Sequence, residues 1–265
     1  MDGLLLTWSQ DPIALSLGPL TVRWYGLFFL SGFYMGFYFM QKVCQWEKKP
    51  VANLDPLLVY LIAGTTIGAR LGHCFFYEWD YYSQHLTEIP MIWRGGLASH
   101  GGTIGVILAL FLFSRRYPDF SFPWLLDRIA VPSMLAAGMI RLGNFMNSEI
   151  VGKPTGGNWG VIFTRVDQIP RHPTQIYESL TYITVWMTTV AWYFASKKKP
   201  PFGLLFGWSI GTVFLARIFI ERLKENQEAF EADMSLNMGQ LLSIPFVIVA
   251  YILFARAFIA WRKAR

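Results

Sequence analysis

The chain has 265 residues, of which 54% are hydrophobic and 15% charged, with a formal net charge of +6. A soluble domain carries about 25% charged residues, so the composition excludes an ordinary soluble globule and points to a polytopic membrane protein. The length fits one integral-membrane domain over residues 1–265. The cations fall at the ends of apolar segments, so they call for no nucleic-acid partner.

A membrane-crossing helix needs about 20 mainly apolar residues. Such segments lie near 20–40, 56–77, 97–114, 124–145, 176–195, 202–221 and 239–260. They predict an all-α polytopic fold of about seven transmembrane helices. Asp2 and Asp11 precede the first segment with no basic run, so no signal peptide is expected. Tyr25, in "RWYG", opens the first span, and Gly32 and Gly36 follow at a spacing that suits close helix packing. The second span carries Gly64, Gly68 and Gly72 four apart, with Arg70 among them. Cys44 and Cys74 fall at opposite ends of neighbouring spans, which argues against a disulfide, and neither has metal-ligand spacing.

The third span opens on "SHGGTIG". His100 sits in the first turn, where free backbone N–H groups favour anions. Gly101 and Gly102 would let a headgroup approach closely. The fourth span holds Asp127, Arg128 and Pro132 and ends in "RLGNFMNSEIVG", which presents Arg141, Asn144, Asn147 and Glu149. "RHPTQIYE" leads into the fifth span with His172, Gln175 and Glu178. Gly203, Gly207 and Gly211 again lie four apart in the sixth, which ends in "RIFIE", with Arg217 and Glu221 one turn apart.

One set of span ends is basic: Lys42, Lys48 and Lys49; Arg115 and Arg116; Lys197 to Lys199; Arg262, Lys263 and Arg265. The other holds Glu78, Asp80, Glu88, Glu149, Asp167, Glu225, Glu228, Glu231 and Asp233. The positive-inside rule makes the basic side cytoplasmic. The N-terminus is then periplasmic, the C-terminus cytoplasmic, and the main periplasmic loops span about 147–175 and 222–238. Six spans deliver polar groups to the outer leaflet. Arg70, Arg141 and Arg217 are the sharpest of these, because an arginine inside a span costs about 2.5–3.5 kcal/mol at the helix centre. Guanidinium groups match phosphate bidentately, so an anionic ligand, most simply a lipid phosphate, is inferred. His100, with an ordinary imidazole pKa near 6.5, serves as a base or as a headgroup ligand. "RLGHCFFYE" (70–78) and "RLGNFMNSE" (141–149) share Arg-Leu-Gly, a polar residue and a Glu in ninth place, as a repeated turn or by coincidence.

"HGGTIG" (100–105), "RLGNFMNSEIVG" (141–152), "RHPTQIYE" (171–178), "RIFIE" (217–221) and "MGQLLSIP" (238–245), in this order and spacing, resemble the bacterial phosphatidylglycerol–prolipoprotein diacylglyceryl transferases. The resemblance covers almost the whole chain, from "RWYG" to the last span. Thr103 departs from the apolar residue more usual there. The resemblance implies a seven-span enzyme of the bacterial inner membrane with its site toward the periplasm. It would move the diacylglyceryl group of phosphatidylglycerol to the lipobox cysteine of a prolipoprotein signal peptide and release glycerol 1-phosphate. It implies His100, Arg141 and Arg217 as catalytic groups. Tyr25, Asn144, Glu149, Gly152 and Glu221 are implied at the substrate. Arg70, Gly101, Gly102, His172 and Gln175 join them from the residue reading. Glu149 and Glu221 would fix the arginines. No metal or cofactor is expected; phosphatidylglycerol, the prolipoprotein and membrane lipids are the partners. A transporter for an anionic lipid or solute also buries charge, but its site normally lies near the midplane. A purely structural membrane protein would not need cations at several outer helix ends.

Overall fold

A computed structural model describes residues 4–225 and 236–263. Asp2, Glu228, Glu231, Asp233 and Arg265, used above to read charge, lie outside the described residues. The fold is mostly helical, and long helices occupy the predicted spans: α1 (Trp24–Trp46), α2 (Leu54–Phe76), α4 (Ser99–Arg116), α5 (Phe122–Asn147), α6 (Thr174–Ala195), α7 (Leu204–Ile220) and α8 (Met238–Lys263). The short α3 (Trp79–Tyr82) follows α2. Among the described residues, four helical segments are long and apolar enough to cross a membrane: Val51–Phe76, Phe122–Asn147, Leu204–Leu223 and Met238–Lys263.

The all-α expectation needs one correction, because two small sheets are present. β2 (Ile13–Leu17) and β3 (Leu20–Arg23) form an antiparallel hairpin just before α1. Its two-residue connection begins with Gly18 at φ +59°, the positive φ that such tight hairpins require. β1 (Leu5–Trp8) runs parallel to β4 (Gly160–Phe163), which pairs antiparallel with β5 (Pro170–Arg171). Strands of two to five residues give little periodic signal, and the partner of β1 lies far along the chain, so local patterning did not reveal them.

The chain divides into two compact units, residues 1–40 with 127–265 and residues 41–126. In the first unit the small-residue positions become helix contacts. A Cβ on Gly36 would stand 2.9 Å from Pro132 Cβ of α5, and one on Gly207 would stand 2.6 Å from the Ala250 carbonyl of α8. Met134, Val185 and Val213 join α5, α6 and α7 in one buried cluster. A second cluster, Phe145, Val161 and Phe163, ties the end of α5 to β4, with Trp8 of β1 against it. The charges inside α5 are architectural. Buried Asp127 accepts the N–H groups of Gly203 (2.9 Å) and Phe206 (3.0 Å), capping α7 where its dipole is positive. Arg128 pairs with Asp127 at 3.2 Å and donates to the Pro200 carbonyl.

The second unit is built on the antiparallel pair α2 and α4. Gly64, Gly68 and Gly72 face Gly105 and Gly101 so closely that added Cβ atoms would strike backbone. This contact explains Gly101 and Gly105 of α4: they let two helix backbones touch, the arrangement favoured where lipid gives no hydrophobic drive between helices. Cys44 and Cys74 are buried and free in this unit.

Candidate active site

In the first unit five helix ends converge. The C-terminal turns of α5 bring Arg141 and Asn144, the first turns of α6 bring Gln175 and Glu178, and the end of α7 brings Arg217 and Glu221. Tyr25, at the start of α1, packs on Gly143, and Gly239, at the start of α8, packs on the Glu221 carboxylate.

These side chains form a chain of opposite charges. Arg141 Nε lies 2.9 Å from Glu178 Oε2, and Glu178 Oε1 lies 2.7 Å from Lys224 Nζ. Lys224 Nζ is 3.3 Å from Glu221 Oε2, which is 3.5 Å from Arg217 Nε. The interior of this chain is closed and its ends are open. The side chains of Lys224, Glu178 and Glu221 are 4–5% exposed, whereas Arg141 is 20% and Arg217 36% exposed. Arg217 Nε itself is buried and makes no hydrogen bond among the described residues. The two arginines at the ends of the chain are thus each paired with a buried carboxylate and partly exposed, and guanidinium groups match the geometry of anions such as phosphate.

A hydrogen-bonded shelf stands beside Arg141. Arg141 Nη1 donates to Asn144 Oδ1 at 3.3 Å, Asn144 Nδ2 donates to Glu149 Oε2 at 3.1 Å, and Asn147 Nδ2 donates to Glu149 Oε1 at 3.1 Å. Arg141 therefore takes Glu178 as its carboxylate, and Glu149 is linked to it through Asn144. Gln175, fully buried, donates to the Glu149 carbonyl at 2.5 Å. It stands behind the shelf rather than at a ligand surface.

Gly152 is a crossing point. Its N–H donates to the His172 carbonyl at 3.0 Å, its carbonyl accepts Arg171 Nη1 at 3.1 Å, and it forms an antiparallel bridge with Lys224. A Cβ there would stand 2.6 Å from the His172 carbonyl and 2.8 Å from that of Leu223. Any side chain would push away the strand that carries Lys224. His172 is half-buried against the edge of Trp159, with Nδ1 3.4 Å from the Tyr177 hydroxyl. Burial lowers its pKa below the ordinary histidine value. Arg171 closes the region by gripping Asp167 and Glu225, each at 2.6 Å. Its hydrogen bonds hold the Asp167 carboxyl below the usual carboxylate range.

The second unit places the other expected residues. His100 is exposed in the first turn of α4. Gly101 and Gly102 are buried under α2. The expectation that this glycine pair admits a headgroup is corrected at Gly101, whose Cβ position is filled by the Gly68 carbonyl. Arg70 needs a second correction. Its guanidinium is 2% exposed and donates to the carbonyls of Ile89 (2.8 Å), Glu88 (2.8 Å) and Gly95 (2.7 Å), with Gly96 at 3.4 Å and the Tyr82 ring beneath it. It ties down the loop that leads into α4 and is not presented to a ligand.

Lys224 was missed by sequence reasoning, and Glu178 was noticed only as a residue one turn beyond Gln175. The faint signal for both was a buried-type carboxylate on the apolar side of α6 that needed a cation, and nothing local names the cation three residues past Glu221.

A family model described as prolipoprotein diacylglyceryl transferase matches residues 12–256. A Tolumonas auensis protein named phosphatidylglycerol–prolipoprotein diacylglyceryl transferase is 47% identical over 249 residues, covering 94% of this chain and 96% of the relative. Proteins of the same name from Chloroherpeton thalassium and Porphyromonas gingivalis are 50% and 43% identical, covering 93% and 95% of this chain and 92% and 94% of their own lengths.

Proposed function

The chain belongs to the prolipoprotein diacylglyceryl transferase family, and we propose that it performs its transfer with an arginine clamp at the open ends of the Arg141–Glu178–Lys224–Glu221–Arg217 chain. It is a membrane transferase that takes the diacylglyceryl group from phosphatidylglycerol and delivers it to prolipoprotein, the first step of lipoprotein lipidation. The observation that carries the clamp is the pair of partly exposed arginines, each set against a buried carboxylate.

The chemistry assigns each group a task. A carbon–sulfur bond forms between the cysteine thiolate and the glyceryl carbon bearing the phosphate. The carbon–oxygen bond to that phosphate breaks, and glycerol 1-phosphate leaves with the electron pair. The thiol, with an ordinary pKa near 8.5, is a weak nucleophile until deprotonated, and exposed His100 is the base that accepts its proton. Arg141 and Arg217 stabilise the charge on the departing phosphate. Tyr25, half-buried on Gly143, and Asn144 orient the headgroup, with Glu149 keeping Asn144 in place. Gly152, Gln175 and His172 shape the loop around them. The test is purified protein with phosphatidylglycerol and a lipobox peptide, read as glycerol phosphate release. A cysteine-to-serine peptide should release none. Release that does not depend on the cysteine would overturn the thiol step, and His100→Gln turning over at the wild-type rate would remove the base.

We further propose seven spans, a periplasmic N-terminus, a cytoplasmic C-terminus, and a site on the periplasmic side of the inner membrane, on the strength of the basic residues at alternate span ends. Reporter fusions at Lys49, Arg116 and Lys198 should read cytoplasmic, and fusions near Glu88 and Lys153 periplasmic. Both termini on one side would overturn the arrangement.

A further inference from the structure

We infer that Lys224 is a positioning residue whose buried ammonium offsets one of the two carboxylate charges of Glu178 and Glu221, so that Arg141 and Arg217 keep the excess positive charge an anionic phospholipid headgroup needs. The inference rests on the arginine clamp proposed above and extends it to the residue behind the clamp.

The geometry is specific. Lys224 is the middle member of an alternating series, touching one carboxylate at 2.7 Å and the other at 3.3 Å, and it is 3% exposed. Each of those carboxylates in turn faces an arginine, at 2.9 and 3.5 Å. Three cations against two anions leave the cluster with one net positive charge. The three buried members together carry one net negative charge and the two more exposed guanidiniums two positive ones, so the surplus falls on the guanidiniums. Without the ammonium, two carboxylates would face two arginines and the cluster would be neutral. In a site shielded from water such a change weighs more than on an open surface. The backbone agrees with this reading. Lys224 is seated by its bridge to Gly152, and the N–H of the neighbouring Lys153 donates to the Leu223 carbonyl at 2.7 Å. The crossing that tolerates only glycine at 152 therefore also fixes where the ammonium sits.

The role is separable from simple bracing by restoring the charge balance without restoring the lysine. Lys224→Met leaves the cluster neutral, and Glu178→Gln added to it returns the net charge to +1 while keeping an acceptor for Arg141. With purified protein, lipobox peptide and phosphatidylglycerol in mixed micelles, Lys224→Met should raise KM for phosphatidylglycerol about tenfold, in line with the loss of one charge-assisted interaction. KM for the peptide should stay within about twofold. The double variant should recover most of the lipid KM, a non-additive cycle, and Lys224→Arg should stay near wild type. Binding of phosphatidylglycerol micelles, followed by intrinsic fluorescence, should move in parallel. A double variant worse than either single overturns the inference in favour of bracing, and an unchanged lipid KM in Lys224→Met overturns it outright. If Lys224→Met does not fold, Lys224→Gln, which still donates to Glu178, must show the same lipid-specific rise or the inference falls. Wild-type protein that is active while Arg141→Lys and Arg217→Lys are unimpaired would remove the clamp itself, and the role of Lys224 with it.

Discussion

Residues 70–78 and 141–149 are spelled alike and used differently. Each has an arginine, a leucine and a glycine, then a polar residue that meets a glutamate five positions on: His73 Nε2 is 3.5 Å from Glu78, and Asn144 Nδ2 is 3.1 Å from Glu149. Each glycine receives a neighbouring segment, Gly72 the backbone of Gly101 and Gly143 the ring of Tyr25. The arginines diverge. Arg70 is spent on loop carbonyls and is closed to solvent; Arg141 pairs with Glu178, donates to Asn144 and stays partly open. The difference lies in what each arginine is packed against. Four fixed carbonyl acceptors make a guanidinium a structural rivet, whereas a buried carboxylate and one amide oxygen leave some of its five donors for a ligand.

Lysine substitutions should split the two arginines most sharply. Arg141→Lys keeps a charge but loses the planar fork, so transfer should fall about a hundredfold, as for removal of one transition-state donor, with the thermal midpoint nearly unchanged. Arg70→Lys should do the opposite, since one ammonium cannot serve carbonyls from residues 88, 89 and 95. Leaving such acceptors unmet costs about 1–3 kcal/mol each. It should lower the unfolding midpoint in detergent and speed tryptic cleavage at Arg94. Equal stability losses in the two variants would erase the distinction.

The glycines of the two segments test the same contrast at lower amplitude. Gly101→Ala sets a methyl against the Gly68 carbonyl, which cannot move without separating α2 from α4, and should destabilise by about 1–3 kcal/mol. Gly143→Ala presses on the Tyr25 ring at 2.8 Å and on its Cα at 3.1 Å, a milder clash than the 2.2 Å at Gly101, so it should displace Tyr25 and lower turnover with a smaller change in the midpoint. Denaturation curves for both, with activity for the second, decide this.

A third arginine falls on the structural side. Arg171 holds the Asp167 carboxyl below its ordinary range, so the pair adds stability that is complete above the unfolded carboxylate pKa and is lost as pH falls through the lowered folded value. The wild-type midpoint should therefore drop on acidification more than that of Asp167→Asn, and superimposable pH profiles would show the pair to be idle. The smallest effect is expected at Glu78. Its side chain is 52% exposed beside His73, and exposed pairs contribute about 0–1 kcal/mol. Glu78→Gln should leave midpoint and turnover within error, while Glu149→Gln, at the matching position, should slow transfer several-fold by loosening Asn144.

The membrane character, the helical segments and the glycine spacing were all determined by local sequence, because hydropathy, period and composition act within a single helix. The residues around Arg141 and Arg217 were legible for the same reason: charge inside an apolar segment is costly enough to stand out. What only the tertiary structure decided was partnership. Gly64, Gly68 and Gly72 announce a close contact, but not that α4 provides it. Arg70 and Arg141 look equivalent until one is seen under loop carbonyls and the other against Glu178. Lys224 looks like an ordinary loop cation until two carboxylates from different helices close on it. β1 has no local reason to be a strand apart from β4, more than 150 residues later. A pairing between distant segments is set by which helix ends the packing brings together, and no single segment carries that information.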